Sequence, residues 1–282
     1  MPTKVEKDAV TGTETTGHEW DGIKELNSPL PKWWLYVLYA CIAWSLAYYV
    51  LYPTYPGLKG LLGYSQRVEV GEKIAAAKAR QAGNLEAIAG AVLEEISQDA
   101  EMLNFALAGG QAAFADNCAP CHAPGGAGRP GFPILADDAW LWDGSLEGIQ
   151  QTILFGVRSD HEETRISEMP AFGADELLEP AQVEAVADYV LSLSGGGGET
   201  AEGAELFAEN CAACHGESGE GGRDFGAPRL ADAIWLYGGE RAAIIAQVTQ
   251  PRLGVMPAWT GRLDDTTIKM LTVYVHGLGG GE

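Results

Sequence analysis

One stretch stands apart in the pattern of apolar and polar positions: Trp33 to Tyr52 runs twenty residues without a charge. As a helix rising about 1.5 Å per residue it spans roughly 30 Å, the thickness of bilayer hydrocarbon. Trp33, Trp34, Tyr48, Tyr49 and Tyr52 gather at its two ends, as an interfacial aromatic belt would. Pro31 and Lys32 bound it on one side, Pro53 and Pro56 on the other. A buried helix of a soluble protein would show polar positions along one face. A cleaved leader would have a shorter apolar run and a small-x-small site after it. The pattern therefore predicts an uncleaved single span over 33–52. Before it lies the N-terminal segment 1–32, whose first 30 residues read as poorly ordered by composition except where a partner holds them.

Beyond the span, 53–108 is rich in Ala, Glu and Leu, with apolar residues at Ile88, Val92, Ile96, Leu103 and Leu107. That spacing predicts one or two amphipathic helices, serving as a spacer or as a docking element against a membrane partner. From there the pattern repeats itself. Phe114 to His122 (FADNCAPCH) returns as Phe207 to His215 (FAENCAACH), and Pro133-x-Leu135 as Pro228-x-Leu230. Trp140-Leu141-Trp142 returns as Trp235-Leu236-Tyr237, and Met169-Pro170-Ala171-Phe172 as Met256-Pro257-Ala258-Trp259. Each copy closes on a helical stretch with Tyr-Val near its end (Tyr189-Val190, Tyr274-Val275) and a glycine run. The expected domains are 109–195 and 199–282, joined by the flexible run Gly195 to Gly198. Each is small for a self-sufficient core.

The repeated pentapeptide names the chemistry. Cys-x-x-Cys-His is the attachment signature of a c-type haem. Cys118 and Cys121, like Cys211 and Cys214, fall on neighbouring positions of one helical turn, so both can form thioethers to one porphyrin edge. His122 and His215 follow directly, each set to ligate iron as the proximal imidazole. A zinc site would need two further ligands near each pair, and none lies close in sequence. The fold class expected is thus all-α, one N-terminal transmembrane helix followed by two tandem class I cytochrome c domains. The cofactors are two covalently bound c-type haems, whose apolar mass completes each small core.

Met169 and Met256 complete the ligand sets. A thioether favours ferrous iron, raises the reduction potential and fills the sixth position. Met-Pro reads as an extended strap across a haem face, because the residue before proline is pushed out of the helical region. Met102, Met270 and Met1 read as packing residues instead. Own-domain pairing, His122 with Met169 and His215 with Met256, is the simplest assignment. A crossed arrangement is equally open. His161 reads as solvated in a charged loop, and His276 as a surface or packing residue. Trp140 and Trp235 are expected near the haem edges. Arg129 and Arg229 have the right chemistry for haem propionates.

Charge bears on partners. The chain of 282 residues has a formal net charge of −21, and the part after the span holds 14 Lys and Arg against 33 Asp and Glu. Such a surface suits a basic protein partner or, equally, serves plain solubility, and it excludes nucleic acid. Four of the five cysteines serve haem and the fifth, Cys41, lies within the apolar span, so no disulfide framework exists.

The whole chain resembles the dihaem cytochrome c subunit (subunit III) of cbb3-type cytochrome c oxidases. The resemblance is most specific in His18-Glu19-Trp20-Asp21-Gly22-Ile23-Lys24-Glu25-Leu26-Asn27 and the following Pro29-Leu30-Pro31-Lys32-Trp33-Trp34. Trp235-Leu236-Tyr237-Gly238-Gly239 and the tail Tyr274 to Gly281 carry it too, while the loop Ala123 to Arg129 is short. Covalent c-type haem attachment, completed outside the cytoplasm in bacteria, predicts a cytoplasmic N-terminus and periplasmic haem domains. The resemblance implies a single-pass protein of the bacterial inner membrane whose N-terminus is held by the oxidase. It implies a relay of electrons from a soluble cytochrome c or the bc1 complex toward a catalytic haem–copper subunit, beside a monohaem cytochrome c subunit. The chain is then not an enzyme on its own. A free-standing dihaem carrier would share the haem features but lack the N-terminal run. A dihaem peroxidase would need an open or displaceable sixth position, against which two equivalent Met-Pro straps argue.

Overall fold

The computed structural model describes residues 4–55, 57–196, 198 and 200–281. Met1, Pro56 and Gly197, which the sequence reading drew on, lie outside them. Two compact units make up the chain, residues 1–80 and residues 81–282.

In the first unit the apolar run forms α1 (Lys32–Leu51), one residue out of step with the expected span. No residue of α1 is buried, so its side chains are free to meet lipid along the whole helix. The polar N-terminal stretch departs from expectation. It forms a hairpin of β1 (Thr15–Trp20) and β2 (Ile23–Leu26), the one departure from an all-α fold among the described residues. Asp21 and Gly22 join the strands with φ of +49° and +82°. Two positive φ angles in a two-residue loop match the right-handed twist of the strands, which is why Asp-Gly favours hairpins. Trp20 pairs with Ile23 across the turn, its indole N–H donating to Glu25 at 3.1 Å.

The second unit holds the rest. The tail of α2 (Gln66–Gly90) leads into α3 (Leu93–Gln98) and α4 (Ala100–Asn117). Asp99 caps α4 by accepting from the backbone N–H of Glu101 and Met102. Ile88 and Ile96 are fully buried, as their spacing suggests, whereas Val92 faces out at 56% exposure. The remaining helices are α5 (Ala119–His122), α6 (Leu146–Phe155), α7 (Pro180–Leu193), α8 (Ala201–Asn210), α9 (Ala212–His215), α10 (Arg241–Thr249) and α11 (Asp265–His276).

Packing among them does not follow the sequence repeats. The last helix of the second repeat, α11, lies on α4, the first helix of the first repeat, and also on α6. The last helix of the first repeat, α7, lies on α8 and α10 of the second. Each repeat thus supplies its final strap and helix to the core begun by the other. Matching crossings lock both cores. At Gly110 an added Cβ would meet the Met270 carbonyl oxygen at 2.2 Å, and at Gly203 the Ala185 carbonyl oxygen at 2.3 Å. Beside them Phe114 packs on Tyr274 and Phe207 on Tyr189, with ring centroids 5.4 and 5.1 Å apart. The connection from α7 to α8 explains the exchange. Only residues 194–200 separate them, and elements joined so closely pack as neighbours.

Lys269 secures α11 from the other side. Its ammonium donates to the backbone carbonyls of Ala89 and Ala91 at 2.8 and 2.7 Å, where α2 ends. These carbonyls lack helical partners, and a cation there also complements the helix dipole. Lys269→Met should cost about 1–2 kcal/mol in denaturant unfolding, from the lost charged hydrogen bonds.

Candidate functional site

Both Cys-x-x-Cys-His runs form a helical turn that continues the preceding helix. Cys118 ends α4 and its carbonyl accepts from the N–H groups of Cys121 (3.1 Å) and His122 (2.9 Å). Cys211 does the same at the end of α8, for Cys214 (3.1 Å) and His215 (3.0 Å). Within each pair the first cysteine is more covered and the second exposed.

Each histidine is oriented by the Pro-x-Leu element that follows it. His122 Nδ1 lies 3.1 Å from the Pro133 carbonyl oxygen, and His215 Nδ1 lies 2.9 Å from that of Pro228. A carbonyl can only accept, so Nδ1 donates and Nε2 is left with its lone pair free. Burial pushes both imidazoles below their usual pKa, the carbonyl bonds opposing it. Neutral imidazole with a fixed tautomer is the form that ligates iron.

The turns end at equivalent residues of different kind. Gly216 takes φ +81°, ψ 159°, whereas the first copy has Ala123 at φ +63°, ψ 163°. This region of backbone space is nearly glycine's alone and costs a Cβ-bearing residue of order 1–3 kcal/mol. Ala123→Gly should therefore stabilise the protein by about 0.5–1 kcal/mol after glycine's own entropy cost, read as a rise in Tm.

Around Cys118, Cys121 and His122 opens a cavity of about 360 Å³. Its walls are mostly apolar, among them Phe114, Leu135, Trp140, Ile149, Ile153 and Val275. The methionine in it is Met256, of the second repeat. Backbone pairing carries that strap in: the N–H of each of Met256 and Val157 donates to the other's carbonyl, both at 3.0 Å. Gly156 makes room, since a Cβ there would meet the Met256 carbonyl oxygen at 2.2 Å. Met169, in turn, packs against the buried cluster in which Phe207, Cys211, Ile244 and Val248 of the second repeat meet Phe172, Val183 and Val186 of the first. Its strap is fastened by Ala174, whose N–H donates to the Thr249 carbonyl at the end of α10. The cavity thus holds Met256 together with His122, and Met169 packs against the core that contains Cys211.

Other expectations resolve simply. Trp140 lines the first cavity and its indole N–H donates to the Gly280 carbonyl, while Trp235 packs on the second core. Arg129 and Arg229 are exposed. The arginine lining the cavity is Arg158, which the sequence reading passed over within a charged loop. His161 stacks on Phe155 at 4.7 Å and accepts from the Glu163 N–H, a packing role. His276 ends α11. An apolar-walled cavity lined by two cysteines, an imidazole with a free nitrogen and a thioether fits a covalently held haem.

Comparison with known proteins agrees. Residues 12–59 match the N-terminal domain of cytochrome oxidase-cbb3, FixP, and residues 105–190 and 198–275 match cytochrome c oxidase, cbb3-type, subunit III. The chain is 54% identical to the cbb3-type cytochrome c oxidase subunit CcoP of Azospirillum sp. (strain B510), over 98% of both chains. It is 53% identical to subunit FixP of Bradyrhizobium sp. (strain ORS 278), again over 98% of both. To subunit FixP of Rhizobium meliloti (strain 1021) it is 52% identical, over 98% of this chain and 97% of that one. With both repeats matched and the N-terminal run included, the chain belongs to the subunit III family of cbb3-type cytochrome c oxidases, electron-transferring cytochromes with two c-type haems.

Proposed function

We propose that this chain relays electrons from a soluble cytochrome c or the bc1 complex toward the catalytic haem–copper subunit, in company with a monohaem cytochrome c subunit, and is not itself catalytic. Bound haem supplies the one-electron couple, ferric to ferrous. Cys118 and Cys121 would hold one haem, with His122 and Met256 as its iron ligands, and Cys211 and Cys214 the other, with His215 and Met169. The observation carrying this reading is Met256 in the cavity of His122. Filled sixth positions suit electron transfer and leave no opening for oxygen or peroxide.

Haem attachment of this kind is completed outside the cytoplasm, which supports a cytoplasmic 1–32, a span over α1 and periplasmic haem cores. The acidic part after the span supports a basic donor. Its reduction by a lysine-rich soluble cytochrome should slow at least several-fold between about 0.01 and 0.15 M salt, as the Debye length falls from about 30 to 8 Å. A flat salt dependence in stopped-flow mixing would remove the case for a basic donor.

The ligand pairing is tested on the haem-loaded full chain in detergent micelles with ¹³C-methyl methionine. In the ferrous state, the Met256 methyl should show a nuclear Overhauser contact to the thioether protons of the haem on Cys118 and Cys121. A contact from Met169 to that haem would establish own-domain pairing.

A further inference from the structure

The two methionine straps share one anchor. Arg158 Nε donates to the Gly254 carbonyl oxygen at 2.7 Å, and its Nη1 donates to the Ser167 carbonyl oxygen at 2.9 Å. Gly254 stands two residues before Met256, and Ser167 two residues before Met169. We propose that Arg158 is a positioning residue for both axial methionines, its forked guanidinium setting the two straps relative to each other.

Several features converge on this role. Arg158 is itself held: its N–H donates to the Arg165 carbonyl at 2.8 Å, and Val157 beside it is paired to Met256. Arg165 is fixed in turn, its Nε donating to Thr152 at 3.0 Å and its guanidinium lying over Trp142 at 5.1 Å. Arg158 also has φ +51°, a left-handed conformation that a residue with a Cβ adopts at a cost. A plain solvent-facing charge would gain nothing from that backbone, whereas here it aims a rigid, planar donor set at two carbonyls. The equivalent position in the second repeat is Arg252, whose guanidinium lies over the Tyr237 ring at 5.4 Å. The proposal rests on the reading that Met169 and Met256 ligate iron.

In a thioether-ligated haem the strength of the iron–sulfur bond tunes the reduction potential. A strap that swings away weakens that bond. With a shared anchor, loosening one strap loosens the other, so the two potentials are coupled through Arg158.

The test uses the haem-loaded full chain in detergent micelles, reading the two ring-current-shifted methionine methyl resonances of the ferrous state. Met169→Ala and Met256→Ala assign them, each removing one. If neither variant removes a signal, the ligation reading fails whatever Arg158 does. Arg158→Met should displace or broaden both signals and lower both haem potentials. Arg158→Lys keeps the charge but not the fork, and should still disturb at least one strap. Arg158→Gly suits the left-handed backbone and keeps the test meaningful should Arg158→Met fold poorly; it too should disturb both. A Met169 or Met256 signal unmoved in both Arg158→Met and Arg158→Gly overturns the proposal. Full restoration by Arg158→Lys also overturns it, because charge alone would then be the active property.

Discussion

Cutting the chain within the Gly195–Gly198 run should leave both haem cores assembled, whereas the two pieces produced separately should fail to build them. The first repeat begins a core with α4 and its Cys-x-x-Cys-His turn, but the helix closing that core is α11, from the far end of the chain. Ile268, Leu271, Val273 and Val275 of α11 are each at most 5% exposed. Burying an aliphatic side chain contributes about 1.5–3 kcal/mol, so the four together rival the 5–15 kcal/mol that holds a whole domain. A protease site placed in the run tests this directly. The cleaved fragments should migrate as one species on native gel filtration and part only in denaturant. A fragment ending at residue 196 that alone shows a thioether-ligated haem would mean that α7 can turn back onto α4, and the exchange would lose its force.

Gly110→Val should damage the second unit severely, costing about 3 kcal/mol or more. The new side chain would begin 2.2 Å from a backbone carbonyl oxygen and 2.6 Å from the Tyr274 Cβ. Neither can rotate away, so α4 and α11 must separate, and overpacking of this kind costs about 1–3 kcal/mol or more. Gly83→Ala is the matched control. Nothing lies within 4 Å of a Cβ built there, and alanine in a helix interior gains about 0.5–1 kcal/mol over glycine. Thermal unfolding of the two variants should therefore move in opposite directions. Equal Tm values would show that the close approach of α4 and α11 is not what holds this core.

The anchor, the two haem motifs and their duplication were plain in the sequence, because each is written in residue types that chemistry restricts. The exchange of straps and helices was not. Both pairings use the same Met-Pro and the same Gly–aromatic crossing, and the copies differ at that crossing only in Met270 against Ala185. Choice of partner instead lies in a loop length, 194–200, whose effect appears only once the helices are packed. Pro133 and Pro228 were visible as repeats, yet their contribution is a carbonyl oxygen, which no side-chain pattern encodes. Arg158 gave no signal, standing among Ser159, Asp160, His161 and Glu162 as one charge of several. The hairpin did leave a mark, Asp21-Gly22 between Trp20 and Ile23, but the polar composition around it outweighed that mark.

The late arrival of α11 also sets an order of manufacture. A chain made from its N-terminus releases His122 roughly 150 residues before His276. At about 5–20 residues per second that interval is roughly 10–30 s. Until α11 is made, the core around Cys118 and Cys121 lacks the helix that packs on α4. A helix made after both haem motifs then closes over the first of them.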